Sequence, residues 1–170
     1  MSLFKRRVTA KEFADGLWIS VSHATKSFTK LYWSDFEKRN GFKLPPETSF
    51  ENFAVEALLL HLWIAGKALG IRRQRSLDLL TKDISEFLLL KLSVDNPESL
   101  IMQHFKQYHG LMDKKDMQEL GCQICENLYG GQFLARNPRA FLSLPLALVS
   151  YIPHMTDAFL KIENEFKIID

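Results

Sequence analysis

Apolar residues along this chain recur at steps of three and four, and no stretch shows a convincing alternation of apolar and polar positions. Steps of three and four place side chains on one face of a helix, whereas alternation would mark a half-buried strand. The pattern therefore predicts an all-α protein, a single-domain bundle or orthogonal array of about six helices and no strands.

The first helix is expected over 10–39. Phe13, Leu17, Val21, Ala24, Phe28 and Leu31 fall on one stripe. Thr9 and Glu12 have the spacing of a capping box, in which each side chain meets the other residue's backbone amide. Gly41 offers a C-terminal stop. About thirty residues at about 1.5 Å each would span about 45 Å. That is long for a domain this size, so a break near Gly16 or Ser34 fits the pattern. Pro45-Pro46 then imposes an extended connector.

Thr48-Ser49-Phe50-Glu51 repeats the capping-box spacing and opens a second helix, which runs to Leu69 with Gly70 as its cap. Phe50, Ala54, Ala57, His61, Ile64 and Ala68 form an inward stripe, and Phe53, Leu58, Leu59, Leu60, Leu62 and Trp63 cover most of the rest. A helix apolar nearly all round belongs at the centre of the fold. The third helix, about 73–92, turns Leu77, Leu80, Ile84, Phe87 and Leu88 inward and Asp78, Lys82 and Glu86 outward. Asn96-Pro97 starts a fourth, which ends near Leu111; Asn caps well and Pro suits the first helical position. A fifth covers about 114–129 and stops at Gly130-Gly131. Asn137-Pro138 is expected to begin the sixth, with Pro145 and Pro153 kinking or splitting it. Its tail, to Ile168, would carry Met155, Phe159, Ile162 and Phe166 on one face. There is no internal repeat, so the chain reads as one domain over 1–170, with a basic N-terminal helix and a helical core from about 48 to 168.

The longest uncharged stretch is Ala140–Thr156. It is shorter than the about 20 apolar residues that a bilayer span needs and holds two prolines and a histidine. It is expected to be buried core, with no transmembrane segment. The basic N-terminus is not followed by an apolar run, so no secretory signal is expected.

Composition adds little beyond this. The 170 residues are 46% hydrophobic and 25% charged, with a net charge of +2, an ordinary globular balance that excludes a disordered chain or a disulfide-stapled miniprotein. Charge is uneven: residues 1–43 hold nine Lys/Arg against four Asp/Glu, and residues 95–170 hold seven against ten. A basic first third and an acidic second half can attract each other within the fold or favour head-to-tail association. The only two cysteines lie in one C-x-x-C, which fits a reducing compartment and a cytoplasmic protein.

Candidate chemistry is sparse. Cys122 and Cys125 fall inside a helix, not at the helix N-terminus that would lower a thiol pKa; Cys122 should face outward and Cys125 the apolar stripe. Adding His104 and His109 gives H-x4-H-x12-C-x2-C, four ligands of the kind zinc takes. Residues five apart on a helix diverge, however, so no metal or other cofactor is expected. Glu56 and His61 share the most apolar helix. They are likewise five apart, so His61 is expected to be a core histidine bonded to a backbone carbonyl or to a group on another helix. Glu51, Glu56, His61, His104 and His109 are the residues a metalloprotein or hydrolase reading would use. Arg72, Arg73 and Arg75 sit where a helix begins, against the dipole; with Arg136 and Arg139 they are the candidates for phosphate or nucleic acid. Nucleic acid is not the expected partner at this net charge. No glycine-rich phosphate loop, nucleophile elbow or EF-hand loop occurs.

These observations point to a non-enzymatic interaction module that binds a protein partner or itself. Helix 50–69 and segment 141–155 are the expected groove or dimer face, and Trp18 or Trp33, if exposed, would mark a groove.

Overall fold

The computed structural model describes residues 5–34, 42, 44–46 and 48–169. It is all-α, with six helices of more than ten residues: α1 (Ala10–Thr29), α2 (Phe50–Leu69), α3 (Gln74–Leu92), α4 (Pro97–Asp113), α5 (Met117–Tyr129) and α6 (Leu144–Glu165). Helix α2 is the axle. It packs against α1, α3, α5 and α6, and α4 contacts α2, α3 and α5. Phe53, Leu59, Leu60, Leu62, Trp63 and Ile64 of α2 are all essentially inaccessible, which is what its apolar circumference demands. Among the described residues, one helical run, within Phe50–Leu92, is long and apolar enough to cross a bilayer, and most of that stretch is buried inside the fold.

Local signals placed most helix starts. Thr9 and Glu12 form the full capping box. Asn96 caps α4 through Ser99 N, with Pro97 in the first turn. Gly70 ends α2 at φ +53°, a left-handed conformation that only glycine adopts without strain.

Several expectations are corrected. The α-helical part of the first helix ends at Thr29 and continues as a wider π turn over Lys30–Ser34. Phe28 stacks on Tyr32 there, and the Tyr32 carbonyl accepts from the Tyr129 hydroxyl, so contacts from outside the helix fix this turn. Residues 35–39 and the Gly41 stop lie outside the described residues. The N-cap of α2 is Ser49, bonded to Asn52 N, not Thr48; Thr48 instead donates to the Tyr129 carbonyl, and the Glu51 box does not form. Helix α5 starts at Met117 behind the Asp116 cap, not at 114.

Asn137-Pro138 does not open the last helix. Asn137 closes a single helical turn, Phe133–Arg136, and its side chain donates to the Phe133 carbonyl. A 3-10 turn, Ala140–Leu142, follows before α6 begins at Leu144. Pro145 therefore sits in the first turn, where an amide hydrogen is not needed. Pro153 lies on the exposed face of an unbroken α6. Neither proline splits the helix.

The expectation of no strands is also corrected. Arg6–Val8 (β1) and Phe166–Ile168 (β2) pair in parallel, Arg6 opposite Phe166 and Val8 opposite Ile168. Phe166 leaves the helix and packs edge-on against Phe13. Finally, segment 140–156 is buried only along Ala140, Leu144, Pro145, Leu148 and Ile152; Phe141, Leu142 and Leu146 are exposed.

Candidate functional site

Burial of a titratable side chain is costly unless it is bonded, so the two buried histidines are natural places to look for chemistry. His61, on α2, is fully buried. Its Nδ1 lies 2.6 Å from the Ala57 carbonyl, which can only accept, so Nδ1 carries the proton. Nε2 is then a bare lone pair and accepts from the Tyr151 hydroxyl at 2.7 Å. Thr25 Oγ1 makes a longer contact to Nδ1 at 3.3 Å. Burial holds the imidazole neutral and pushes its pKa down to about 4, against the opposing effect of the Ala57 bond. This is the expected core histidine, with a phenol as its interhelical partner. Glu56 is not its neighbour.

Glu56 instead meets His104 across α2 and α4, with Oε2 2.6 Å from Nε2. That contact is what meets Glu56 Oε2, otherwise buried without a hydrogen bond. His104 Nδ1 donates to the Leu100 carbonyl at 2.9 Å. Both ring nitrogens therefore face acceptors, which requires an imidazolium. Burial works against the charge, but the Glu56 bond and charge outweigh it and hold the pKa above the ordinary histidine value. Beside the pair, Tyr108 accepts from Asn127 at 2.9 Å. Neither pair lines any of the grooves described below, so both read as interhelical fasteners.

The other candidates do not converge. Cys122 and Cys125 lie within α5; Cys125 is buried and Cys122 half-buried with Gln118 3.8 Å from its sulfur. Burial, then the neighbouring acidic charges, raises the Cys122 thiol pKa, and burial raises Cys125 further. Those shifts leave both as thiols at neutral pH. His109 is exposed against Phe105 and Trp63, and among the described residues no three His, Cys, Asp or Glu side chains gather into a metal-binding group. Glu51 is exposed. Of the arginines, Arg73 pairs with Glu163 at 2.9 Å and Arg136 bonds Gln132. Arg72 and Arg139 are exposed, and Arg75 is exposed on the first turn of α3. Arg73 and Arg136 are thus already engaged.

What the fold does build is grooves. The most apolar, about 600 Å³, runs between α1, α2 and α3. Trp18, Phe50, Ala54, Leu58, Phe87 and Leu92 form its apolar walls, and Trp18 packs edge-on against Phe87. Among the described residues, the charged side chains of its lining are Lys26, near the end of α1, and Lys30, which opens the π turn that follows. A second groove, about 650 Å³, lies beside α5. It is walled by Leu134, Pro138, Phe141 and Leu142, and its charged lining residues are Glu119 and Glu126. A third, about 580 Å³, between α2, α3 and α4, has a mixed lining and holds the buried Ser85 hydroxyl, which has no hydrogen-bond partner among the described residues.

Helix 50–69 thus contributes groove walls through Phe50, Ala54 and Leu58. Most of its remaining residues are core, and Leu62 and Gly66 line the third groove. Trp18 is the groove tryptophan that sequence marked. Lys26, Lys30 and Phe87 were not singled out: two lysines a turn apart look like any solvated helix end, and Phe87 falls on the inward stripe. The available signal was the pairing of Lys26 and Lys30 with the nearby Trp18 on one helix.

Comparison of the chain with protein-family models, curated proteins and solved structures finds no match.

Proposed function

We propose that the protein is a non-enzymatic interaction module, and that the groove between α1, α2 and α3 seats an apolar protein segment flanked by carboxylates. The observation that carries this reading is the composition of that groove: aromatic and aliphatic walls with Lys26 and Lys30 as its charged lining residues. Half-exposed apolar side chains of this kind lose water when a complementary surface docks, and aromatic anchors dominate such contacts. Two cations at the edge select a partner by sign and contribute mainly to association rate and specificity. Phe50 and Leu92 in its walls, and Leu31 next to Lys30, remain substantially exposed.

The groove accepts a helix in the general manner of helix-in-groove recognition, with anchors at three- and four-residue spacing. The test is a titration with an amphipathic helical peptide bearing Leu and Phe on one face and Glu on the other, read by Trp fluorescence and by anisotropy of a labelled peptide. Binding is expected to weaken at least tenfold when Lys26 and Lys30 are both changed to Glu, and to weaken with salt. A peptide with Lys in place of Glu is expected to bind less tightly. No binding up to about 1 mM, or equal binding of the acidic and basic peptides, would overturn the reading.

A further inference from the structure

We infer that one occupant of this groove is a second copy of the chain, entering with the exposed Phe141–Leu142 ridge. The inference rests on the docking reading above and adds the identity of the partner. Phe141 is 45% exposed, Leu142 75% and Leu146 53%, three apolar side chains grouped around the start of α6. Such a ridge is what an apolar groove is shaped to cover. The groove beneath it has Glu119 and Glu126 as its charged lining residues, two turns apart on α5, and the receiving groove has Lys26 and Lys30. The charged residues of the two linings are therefore opposite in sign, and the exposed Phe141–Leu142 pair is apolar like the walls that would receive it. Lys26 and Lys30 belong to the basic stretch 1–43, and Glu119 and Glu126 to the acidic stretch 95–170.

The two surfaces share no lining residue: the groove is lined from α1, the π turn, α2 and α3, and the surroundings of the Phe141–Leu142 pair from α5 and residues 134–142. Two different patches that dock between copies make a heterologous, head-to-tail contact, which closes into a ring or extends as a chain of copies. Rim charges facing each other across the contact make it sensitive to ionic strength.

The test uses the full chain in sedimentation velocity over a range of concentrations at low and high salt. Wild type is expected to grow beyond a dimer as concentration rises and to fall back towards monomer at high salt. Lys26→Glu/Lys30→Glu disables the groove, and Leu142→Glu disables the ridge at an exposed position where folding is not at stake; circular dichroism checks that both variants keep their helices. Each variant alone is expected to remain monomeric. An equimolar mixture is expected to form a complex that stops at two chains, because one partner supplies the intact groove and the other the intact ridge. Wild type that stays monomeric up to about 0.5 mM overturns the inference, as does self-association untouched by both sets of substitutions. If wild type is monomeric yet the acidic peptide still binds, self-docking falls while the docking reading stands. If the peptide also fails to bind, both fall.

Discussion

His61 and His104 show how two histidines in one core take opposite protonation states. His61 has one backbone carbonyl and a phenol that can donate, so the neutral ring satisfies every partner. His104 has a carbonyl and a carboxylate, both acceptors, so only the cation does. The consequences for stability have opposite signs. The folded pKa of His61, about 4, lies below the unfolded value, so the unfolded chain takes up that proton first and stability is lost as pH falls from about 6.5 towards 4. The full gap corresponds to about 3 kcal/mol. The folded pKa of His104 is raised, so its contribution is complete below about pH 6.5 and is lost as pH rises through the folded value. Urea unfolding against pH is expected to give maximal stability near pH 6.5. His61→Gln should flatten the limb between about pH 5 and 6.5, and His104→Gln the limb above it. Limbs unchanged by these substitutions would contradict the assignments. That His61 is a core residue was legible from its position on an apolar stripe. Its partner was not, because Tyr151 lies ninety positions away in a stretch where it counts simply as apolar. The Glu56–His104 pair was missed for the same reason: helical spacing says which residues share a face, not which faces meet.

At the scale of elements, boundaries set by local chemistry were legible and those set by packing were not. Thr9, Asn96 and Gly70 act through neighbouring backbone, and each did what its type implies. The end of α1 depends on Tyr129, and the start of α6 depends on how Asn137 closes the preceding turn. A three-residue strand has no period to read, which is why β1 and β2 were invisible. The α5–α6 contact is likewise non-local. A Cβ on Gly121 would lie 2.5 Å from the Pro145 carbonyl oxygen, whereas one on Gly16 would meet nothing. Backbone cannot yield as a flexible side chain can, so Gly121→Ala is expected to destabilise by about 1–3 kcal/mol. Gly16→Ala, on the exposed side of α1, is expected to stabilise by about 0.5–1 kcal/mol through helix propensity. Thermal or urea denaturation of the two variants checks both; the account fails at this interface if Gly121→Ala is neutral.

For the whole molecule, the all-α class and the central position of α2 followed from periodicity and from the apolar circumference of one segment. The grooves did not, because a groove is the space left where three helices diverge, and its lining comes from faces that periodicity assigns to core or solvent indiscriminately. Phe87 and Lys26 are examples: one reads as interior and the other as surface, and both border the same space. The parallel pairing of β1 with β2 joins the two ends of the described chain beside Phe13, and among the described residues the α1–α2–α3 groove is lined by helical residues. The proposed docking surface is this groove. NMR shift mapping with the acidic amphipathic peptide tests it most directly. The largest changes are expected on the Trp18 indole and on Thr25, Ala54 and Phe87. Changes centred on other surfaces, or none at saturating peptide, would contradict it.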